Sequence, residues 1–578
     1  MKPIQAFKNI ISGLYLSLKR FPLTILLSFL VASILVIISE TKPSQDILSQ
    51  LAMTVALGIP LTLCIKLFFE SREYRNNLIL YSYYLAGAVL LILYYLFLLN
   101  DFNMVAVTRY IAVSLALYLS FIFIPFSAPK KCFENYVISL LSGFFITILY
   151  CIVLNSGLAA ILFAIDKLLG IRIQSEIYYY TFLYVIFLFG VSYFLATIPK
   201  IGEDLSARSY PKLLKILFLY IVMPLISIYT IILYIYFAKI LITTQWPANI
   251  ITNLVLWYSV ISVVVIFFIT PLALESKWSK SFTKFFPKLI LPVLAMMFIS
   301  IFLRINAYGV TEKRYYVTVL ALWVFAMMLY LGFVKKSKNI IIFISLSIIC
   351  LISVFGPLSS YSVSKMSQNK RLEQLLARNN MIKDGIIQPN SNVTKKDRAD
   401  ISSILQYFKE DHSFKAAKHL PENFTLDNMS NTFGFAYEAP EHNFQNNYFY
   451  FSTEGLSKTI DITSYDYLME SVAAGGRSNI DKNSLYISYS PDSSIVSINK
   501  NGKEIYSKDF KTLILGLAEK YSDRFEKGEL PIEEMTFIDE NENVNIKFIF
   551  RHISGTKEAS NQAFSNIEMN FYVLLKLK

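Results

Sequence analysis

Histidine, cysteine and charged residues are all scarce in this sequence, which limits the chemistry it can carry. Four histidines and four cysteines occur among 578 residues, and only 16% of the chain is charged. The cysteines lie in or beside apolar segments, without the spacing of a disulfide framework or a thiolate metal site. The first 360 residues contain no histidine, so acyl transfer that depends on a histidine in that part is disfavoured.

Sequence signatures of nucleotide-binding and hydrolytic sites are also absent. The chain has no phosphate-binding P-loop, no glycine-rich dinucleotide motif, no HExxH zinc motif and no GxSxG nucleophile elbow. His412 and His419 leave a metal pair open, although solvated surface histidines are the simpler interpretation. We therefore expect no catalytic residue, no cofactor and no bound metal.

Long apolar segments fill the first 360 residues and are missing from the rest of the chain, with a break at Pro357–Tyr361. The whole chain is 55% hydrophobic, more than the surface of a soluble protein of this length allows. A helix that crosses a bilayer needs about 20 apolar residues. Eleven segments approach this length: 21–39, 47–69, 78–99, 104–126, 135–156, 178–198, 213–242, 249–274, 286–304, 315–334 and 340–358.

These segments predict a polytopic all-α membrane bundle of about eleven transmembrane helices, followed by a soluble α+β domain. The predicted divisions are an amphipathic, cytoplasmic N-terminal segment (1–20), a multi-pass transmembrane domain (21–360) and the soluble domain (361–578). Gly157–Gly170 is expected to be a separate interfacial segment. In the soluble domain, helices are predicted at 365–383, 394–409 and 509–521, and strands at 448–451, 484–488, 494–498, 545–550 and 568–575.

The basic residues indicate how the chain is oriented. Residues 1–360 hold 28 Lys and Arg against 12 Asp and Glu, whereas residues 361–578 hold 26 against 29. The basic excess lies in short loops, as expected of topology determinants facing lipid and not of a nucleic-acid site. With a cytoplasmic N-terminus, 18 basic residues flank the spans on the inside and six on the outside. Eleven spans then place the C-terminal domain outside the cytoplasm. One span more or fewer would place it on the cytoplasmic side.

Ionisable residues inside the predicted spans are few. Lys66, Arg109, Lys239 and Arg304 all lie near a span end, where snorkelling explains them. No Asp or Glu lies in the middle of a span, which disfavours a proton-coupled carrier. Asn155 is interpreted as an interhelical hydrogen-bonding residue. Prolines within three spans predict kinks: Pro60, Pro224 and Pro292.

The densest polar cluster beside the membrane is Leu303–Trp323. Arg304 ends one span, Gly309 allows a tight turn, and Glu312 and Arg314 precede the next span. We expect the side chains of this turn to form a polar cluster that holds an anion or docks the C-terminal domain: Arg304, Tyr308, Glu312 and Arg314. Glu312 is expected to be the carboxylate nearest both arginines. The alternative is an interfacial turn with aromatic anchors at Tyr308, Tyr315 and Tyr316.

Three segments carry a family resemblance. Arg304–Trp323 (RINAYGVTEKRYYVTVLALW) and Pro211–Pro247, with its mid-span Pro224, resemble the bacterial membrane family known as domain of unknown function 4153. Asp397–Phe408 (DRADISSILQYF) is similar to the tails of long members from Bacteroidota. The resemblance implies a multi-pass protein of the bacterial inner membrane, and it implies no catalytic role for any residue.

Three functions fit the sequence. The first is a non-enzymatic membrane protein that presents an extracytoplasmic sensing or partner-binding domain, with the lipid bilayer and a protein as its partners. The second is a permease or lipid-handling component with a cavity between kinked helices, which eleven spans favour because an anchor needs fewer. The third is an enzyme acting on a lipid-linked substrate, disfavoured because the predicted outside loops lack paired carboxylates and histidines. A large cavity among the spans would favour the second function over the first.

Overall fold

The structure is a computed structural model of the chain. It describes residues 3–41, 46–72, 76–99, 103–126, 133–200, 203, 210–243, 250–335, 337–438, 448–454, 460–471, 485–490, 494–521, 528–557 and 564–578. Several residues that the sequence interpretation used lie outside these ranges: Lys42, Lys130, Lys131, Cys132, Arg208, Trp246, Pro247, His442 and Ser484. The residues form two compact units, Met1–Pro440 and Glu441–Lys578.

The first unit opens with a run of apolar helices. Their bounds are α1 Pro3–Arg20, α2 Pro22–Glu40, α3 Asp46–Ser71, α4 Asn77–Leu98, α5 Met104–Phe123, α6 Phe133–Leu168, α7 Ser175–Tyr184, α8 Val191–Thr197, α9 Lys212–Ile216, α10 Met223–Thr243, α11 Ile250–Ile269, α12 Lys277–Leu289, α13 Leu291–Tyr308, α14 Glu312–Phe333 and α15 Ile340–Ile352. Two six-residue π-helical segments, Val185–Gly190 and Leu217–Val222, join α7 to α8 and α9 to α10.

Ten helices within the described ranges are long and apolar enough to cross a membrane, counting helices that join without a break as one. Each matches one of the predicted spans. The eleventh predicted span contains α15, an apolar helix of 13 residues. With the β-sheets that follow, these helices confirm the predicted fold class of an all-α membrane bundle and an α+β domain.

The segment Gly157–Gly170 differs from its prediction. It was expected to be separate and interfacial, but its residues through Leu168 continue α6, which is 36 residues long. Such a helix measures about 54 Å, longer than the hydrocarbon core of about 30 Å. No proline or glycine pair interrupts the apolar run after Asn155, so the helix has no local reason to end there.

The chain around α15 runs along α5. Near its start, the Asn339 amide donates a hydrogen bond to Glu134 in the first turn of α6, at 2.7 Å. Midway, the Ser347 hydroxyl donates to the Ala116 carbonyl of α5 at 3.1 Å. Beyond its end, the Tyr361 hydroxyl donates to the carbonyl of Met104, the first residue of α5, at 3.4 Å. The chain from Ser347 to Tyr361 therefore follows α5 from Ala116 back to its first residue, Met104.

The rest of the first unit, residues 360–438, is called the helical extension. It contains α16 Ser360–Arg378, the hairpin strands β1 Ile382–Lys383 and β2 Ile386–Ile387, α17 Lys395–Asp411 and α18 Met429–Phe433. The Thr394 hydroxyl accepts a hydrogen bond from the backbone N–H of Asp397, the cap that the sequence predicts for α17. Its own apolar core includes Leu376, Leu405 and Phe408, all fully buried.

In its described residues, the second unit contains two mainly antiparallel sheets and one helix. Its elements are β3 Tyr448–Thr453, β4 Tyr467–Glu470, β5 Leu485–Ser490, β6 Ile495–Lys500, β7 Lys503–Asp509, α19 Lys511–Lys520, β8 Gly528–Leu530, β9 Thr536–Glu540, β10 Val544–Lys557 and β11 Phe564–Leu577. The larger sheet has the order β4-β11-β10-β3-β8, with β9 also paired to β10. The smaller sheet is β5-β6-β7.

The long hairpin of β10 and β11 organises this unit. It pairs from Val544 opposite Leu577 to Lys557 opposite Phe564. Alternate residues of β10, among them Phe548 and Phe550, point into a core that also buries Ile514 of α19. The Tyr489 hydroxyl of β5 donates to the Ile567 carbonyl of β11 at 2.8 Å, which ties the two sheets together. Whether residues 361–578 fold without the helical bundle stays a prediction.

Candidate functional site

The turn between α13 and α14 is shaped by one glycine. Gly309 has φ +69°, a conformation that L side chains rarely adopt, and its N–H donates to the Ile305 carbonyl at 2.8 Å to end α13. A Cβ at this position would lie 2.9 Å from Nε2 of Gln368 in α16. The tight turn that the sequence predicts at Gly309 is therefore also a point of close contact with the helical extension.

α16 holds this turn through its polar side chains. The Gln368 amide donates to the carbonyls of Tyr308 and Val310 at 3.2 and 3.0 Å. The Ser367 hydroxyl accepts a hydrogen bond from the Val310 N–H at 2.9 Å. These three contacts satisfy backbone groups that the end of a helix leaves without intrahelical partners.

Two arginines meet at the carbonyl oxygen of Tyr308. Arg314 Nη1 donates to this oxygen at 3.1 Å and to the Gly309 carbonyl at 3.0 Å, and its guanidinium lies 5.4 Å from the centre of the Tyr308 ring. Arg371 Nη1, from α16, approaches the same oxygen at 3.4 Å, while its Nη2 donates to Asp400 at 2.7 Å. Arg304 lies four residues before Tyr308 on α13, so the two side chains share one face of that helix. Arg304, Tyr308 and Arg314 are therefore close together.

Glu312 is directed elsewhere. Its Oε1 accepts hydrogen bonds from the Tyr407 hydroxyl at 2.8 Å and from His412 Nε2 at 2.9 Å. The Tyr407 hydroxyl also lies 2.8 Å from His412 Nε2. We call Glu312, Tyr407 and His412 the docking triad, because it joins the start of α14 to the end of α17. The sequence predicts Glu312 as the carboxylate nearest both arginines, but within the described ranges its hydrogen-bond partners are Tyr407 and His412.

The docking triad is largely shielded from water. The side chains of His412 and Glu312 are 7% and 15% exposed, so His412 is not the solvated surface histidine that the sequence favours. The Tyr361 ring meets the His412 ring edge-on at 6.0 Å. Tyr315 and Tyr316, two of the proposed aromatic anchors, contact the chain where the extension begins. The Tyr315 hydroxyl donates to the Leu358 carbonyl at 2.5 Å, and the Tyr316 hydroxyl lies 2.9 Å from the Ser360 hydroxyl.

Burial and the charge of the Glu312 carboxylate together raise the pKa values of two neighbouring groups. Burial raises the pKa of the Tyr407 hydroxyl, and the negative charge of Glu312 raises it further. Partial burial also raises the pKa of Asp411 at the end of α17, with Glu312 as the next cause. Tyr407 therefore keeps its proton at neutral pH and acts as a hydrogen-bond donor to Glu312.

No local sequence pattern marks the residues that complete this site. Gln368, Arg371, Tyr407 and His412 lie about 60 to 100 positions along the chain from Tyr308 and Glu312. His419, the proposed partner of His412 in a metal pair, instead contacts the Gly385 carbonyl through Nδ1 at 2.8 Å. Within the described ranges, His, Cys, Asp and Glu side chains nowhere form a group of three that could hold a metal ion.

A second feature is a cavity of about 680 Å³ between the helices of the bundle, which we call the cleft. It lies among α2, α3, α5, α6, α7 and α8, and its lining, as far as the chain is described, is almost entirely apolar and contains no charged residue. On α6 its lining residues recur every three or four positions from Val137 to Ser156. The α6 side chains Phe144, Ile148 and Ile152 are 48%, 39% and 58% exposed, so the cleft opens to the surroundings of the bundle.

One wall of the cleft is the π-helical segment Val185–Gly190. Widening of the helix there is accompanied by side-chain donors from neighbouring helices: Cys151 Sγ lies 3.9 Å from the Val185 carbonyl, and the Ser28 hydroxyl donates to the Phe187 carbonyl at 2.5 Å. Asn155 lies at one end of the lining, and within the described ranges its Oδ1 is buried without the interhelical partner that the sequence suggests.

The apolar helices and the cleft among them define a multi-pass membrane protein. The chain belongs to the family described as domain of unknown function 4153, which matches residues 25–388, and this confirms the resemblance seen in the sequence. An uncharacterized protein of Pasteurella multocida (strain Pm70) is 24% identical over 384 residues. That match covers 66% of this chain and 63% of the relative's length. No solved structure matches the chain.

Proposed function

We propose that this protein is a lipid-handling membrane component whose cleft holds one hydrocarbon chain of a membrane lipid. The cleft itself carries the proposal. Its volume of 680 Å³ falls within the range of about 300–1,000 Å³ that is usual for small-molecule sites. The cleft opens between candidate spans, which are surrounded by lipid in a membrane. A lipid is therefore the molecule best placed to occupy it.

The chemistry of the lining favours a hydrocarbon over a polar solute. A permease for ions or polar molecules needs charged or hydrogen-bonding groups along its path. The cleft offers only a few neutral polar side chains, among them Asn155 and Ser156 at one end. An apolar chain gives up no hydrogen bonds when it enters the cleft, whereas a polar solute would lose its hydrogen bonds with water.

The shape of the cleft also fits a chain. The lining residues on α6 extend over about 28 Å between Val137 and Ser156. A single leaflet contributes roughly half of the hydrocarbon core of about 30 Å. The cleft is therefore long and narrow, and it reaches beyond the middle of the bilayer when α6 stands upright.

We expect a phospholipid with a photoactivatable acyl chain to label the cleft wall on α6 in proteoliposomes. Replacing Ile152, which lines the cleft, with Trp should reduce labelling severalfold because the larger ring fills the space. Val153→Trp is the matched control, since Val153 is 63% exposed on the same helix but does not line the cleft. Mass spectrometry of the labelled peptides measures the extent of labelling in both variants. Equal labelling of the two variants would refute an occupied cleft.

The second candidate is a membrane-held sensing or partner-binding protein with a cytoplasmic N-terminus and an extracytoplasmic C-terminal region in the bacterial inner membrane. The docking triad favours it, because the triad fixes the helical extension to the start of α14. The side of the membrane on which the C-terminal region lies depends on whether the chain around α15 crosses the membrane. Ser347 and Tyr361 contact Ala116 and Met104 of α5, itself a candidate span, and Asn339 contacts the first turn of α6, which supports an eleventh crossing.

Reporter fusions test this topology. Alkaline phosphatase and a cytoplasm-active fluorescent protein are each fused after Lys338 and after Lys578. We expect fluorescence at the first position and phosphatase activity at the second, because one crossing separates them. The Lys338 fusions are the internal control for expression and insertion. Fluorescence without phosphatase activity at Lys578 would contradict the extracytoplasmic placement.

A further inference from the structure

The arginines around Tyr308 carry more positive charge than their surroundings neutralise. Arg371 is paired with Asp400 at 2.7 Å, and the Glu312 carboxylate is held by His412 and Tyr407. Within the described ranges, neither Arg304 nor Arg314 forms an ion pair with a carboxylate. Two guanidinium groups, Arg314 and Arg371, nevertheless approach one carbonyl oxygen.

A purely structural role explains only part of this arrangement. Arg314 stabilises the turn through the carbonyls of Tyr308 and Gly309. Arg304 makes no hydrogen bond or ion pair in the part of the chain that the structure describes, yet it lies one helical turn before Tyr308, whose ring centre is 5.4 Å from the Arg314 guanidinium. Like charges held close together repel, and partial burial strengthens the repulsion. A bound anion would remove that cost and use the donors that remain free on the guanidinium groups.

We propose that Arg304, Arg314 and Arg371 form a binding site for a phosphate group, supplied by the headgroup of an anionic lipid. Position supports the headgroup as the source. Arg304 and Tyr308 occupy the end of one candidate span and Arg314 the start of the next, which is the level at which headgroups lie. The Tyr308 ring is 48% exposed beside the arginines, as is typical of interfacial aromatic residues. The site lies on α13, α14 and α16, apart from the helices that line the cleft, so this proposal is independent of the cleft.

The test uses the full-length protein in nanodiscs that contain phosphatidylcholine with a minority of phosphatidylglycerol. Native mass spectrometry should show that wild-type protein retains phosphatidylglycerol in preference to phosphatidylcholine. Arg304→Gln should weaken this retention about tenfold, the effect of losing one charge-assisted contact. Arg304→Lys, which keeps the charge, should retain most of the preference. Arg172→Gln is the control, because Arg172 is an exposed arginine beyond the end of α6.

A second arm distinguishes the two sources of phosphate. Inorganic phosphate is added to protein in nanodiscs of phosphatidylcholine alone, and thermal stability is measured. Stabilisation by phosphate without retention of phosphatidylglycerol would overturn the lipid source. Equal phosphatidylglycerol retention by the Arg304→Gln and Arg172→Gln proteins would overturn the site. If Arg304→Gln does not fold, wild-type protein decides: the site is refuted when it shows neither a preference for phosphatidylglycerol nor stabilisation by phosphate.

Discussion

Glu312→Ala is expected to loosen the helical extension from the bundle and to lower the stability of the protein by about 2–4 kcal/mol. The substitution removes the acceptor for both Tyr407 and His412. It leaves those two polar groups in a site where the His412 side chain is only 7% exposed, so water compensates poorly for the lost hydrogen bonds. Thermal unfolding in detergent, followed with a thiol-reactive dye that reaches buried Cys64 only on unfolding, measures the effect.

Two further variants separate the contributions at this site. Glu312→Gln keeps an oxygen that can accept from Tyr407 but removes the charge, so we expect it to cost about 1 kcal/mol, less than alanine. Lys313→Ala is the neighbouring control, because Lys313 is exposed and its loss should change stability by less than about 0.5 kcal/mol. Limited proteolysis should cleave the helical extension faster in Glu312→Ala alone. Equal stability of the Glu312→Ala and Lys313→Ala proteins would show that the docking triad does not hold the extension.

Features encoded in neighbouring residues could be predicted from the sequence. A run of about 20 apolar residues is itself the signal for a span, and the ten candidate spans fall where such runs occur. Gly309 could be placed in a tight turn because only a few residues separate Arg304 from Glu312. The cap of α17 at Thr394 was equally local, since a hydroxyl three residues before a carboxylate marks a helix start.

The partner of Glu312 could not be predicted in this way. The sequence offered arginines within ten residues as the nearest opposite charges, but His412 lies 100 residues along the chain. The choice depends on α17 packing so that its end reaches the start of α14, which is a property of the tertiary structure. The cleft is another such property, because it requires side chains from six helices that no local pattern brings together.

Some local signals were present and overlooked. Asp384 and Gly385 both have positive φ and connect β1 to β2, and Asn501 and Gly502 do the same between β6 and β7. Asp-Gly and Asn-Gly are the pairs that two-residue hairpin turns favour. Either pair, read with its apolar flanks, predicts a hairpin. The short strands β4 and β8 gave no such signal, because four and three residues are too few to show alternation.

Gly434→Ala is expected to destabilise the helical extension by about 3 kcal/mol, the combined effect of backbone strain and a steric clash. Gly434 ends α18 with φ +82°, which an L side chain tolerates poorly. A Cβ there would lie 2.7 Å from the backbone nitrogen of Asn390 and 2.9 Å from its carbonyl carbon. Asn390 cannot easily move away, because its N–H donates to the Phe433 carbonyl at 3.0 Å and its side-chain amide to the Asn379 carbonyl at 2.9 Å.

Gly385→Ala separates strain from clash, because it shares the conformation without the contact. Gly385 has φ +79°, but the nearest heavy atom to its Cβ position is Nδ1 of His419, at an ordinary contact distance of 4.0 Å. Only the strain of about 1 kcal/mol should remain. Hydrogen exchange of the helical extension in the full-length protein measures both variants in one region. The expected difference in stability between the two variants comes from the clash with the Asn390 backbone. Equal protection from hydrogen exchange in the two variants would therefore show that this backbone moves away from the added methyl group.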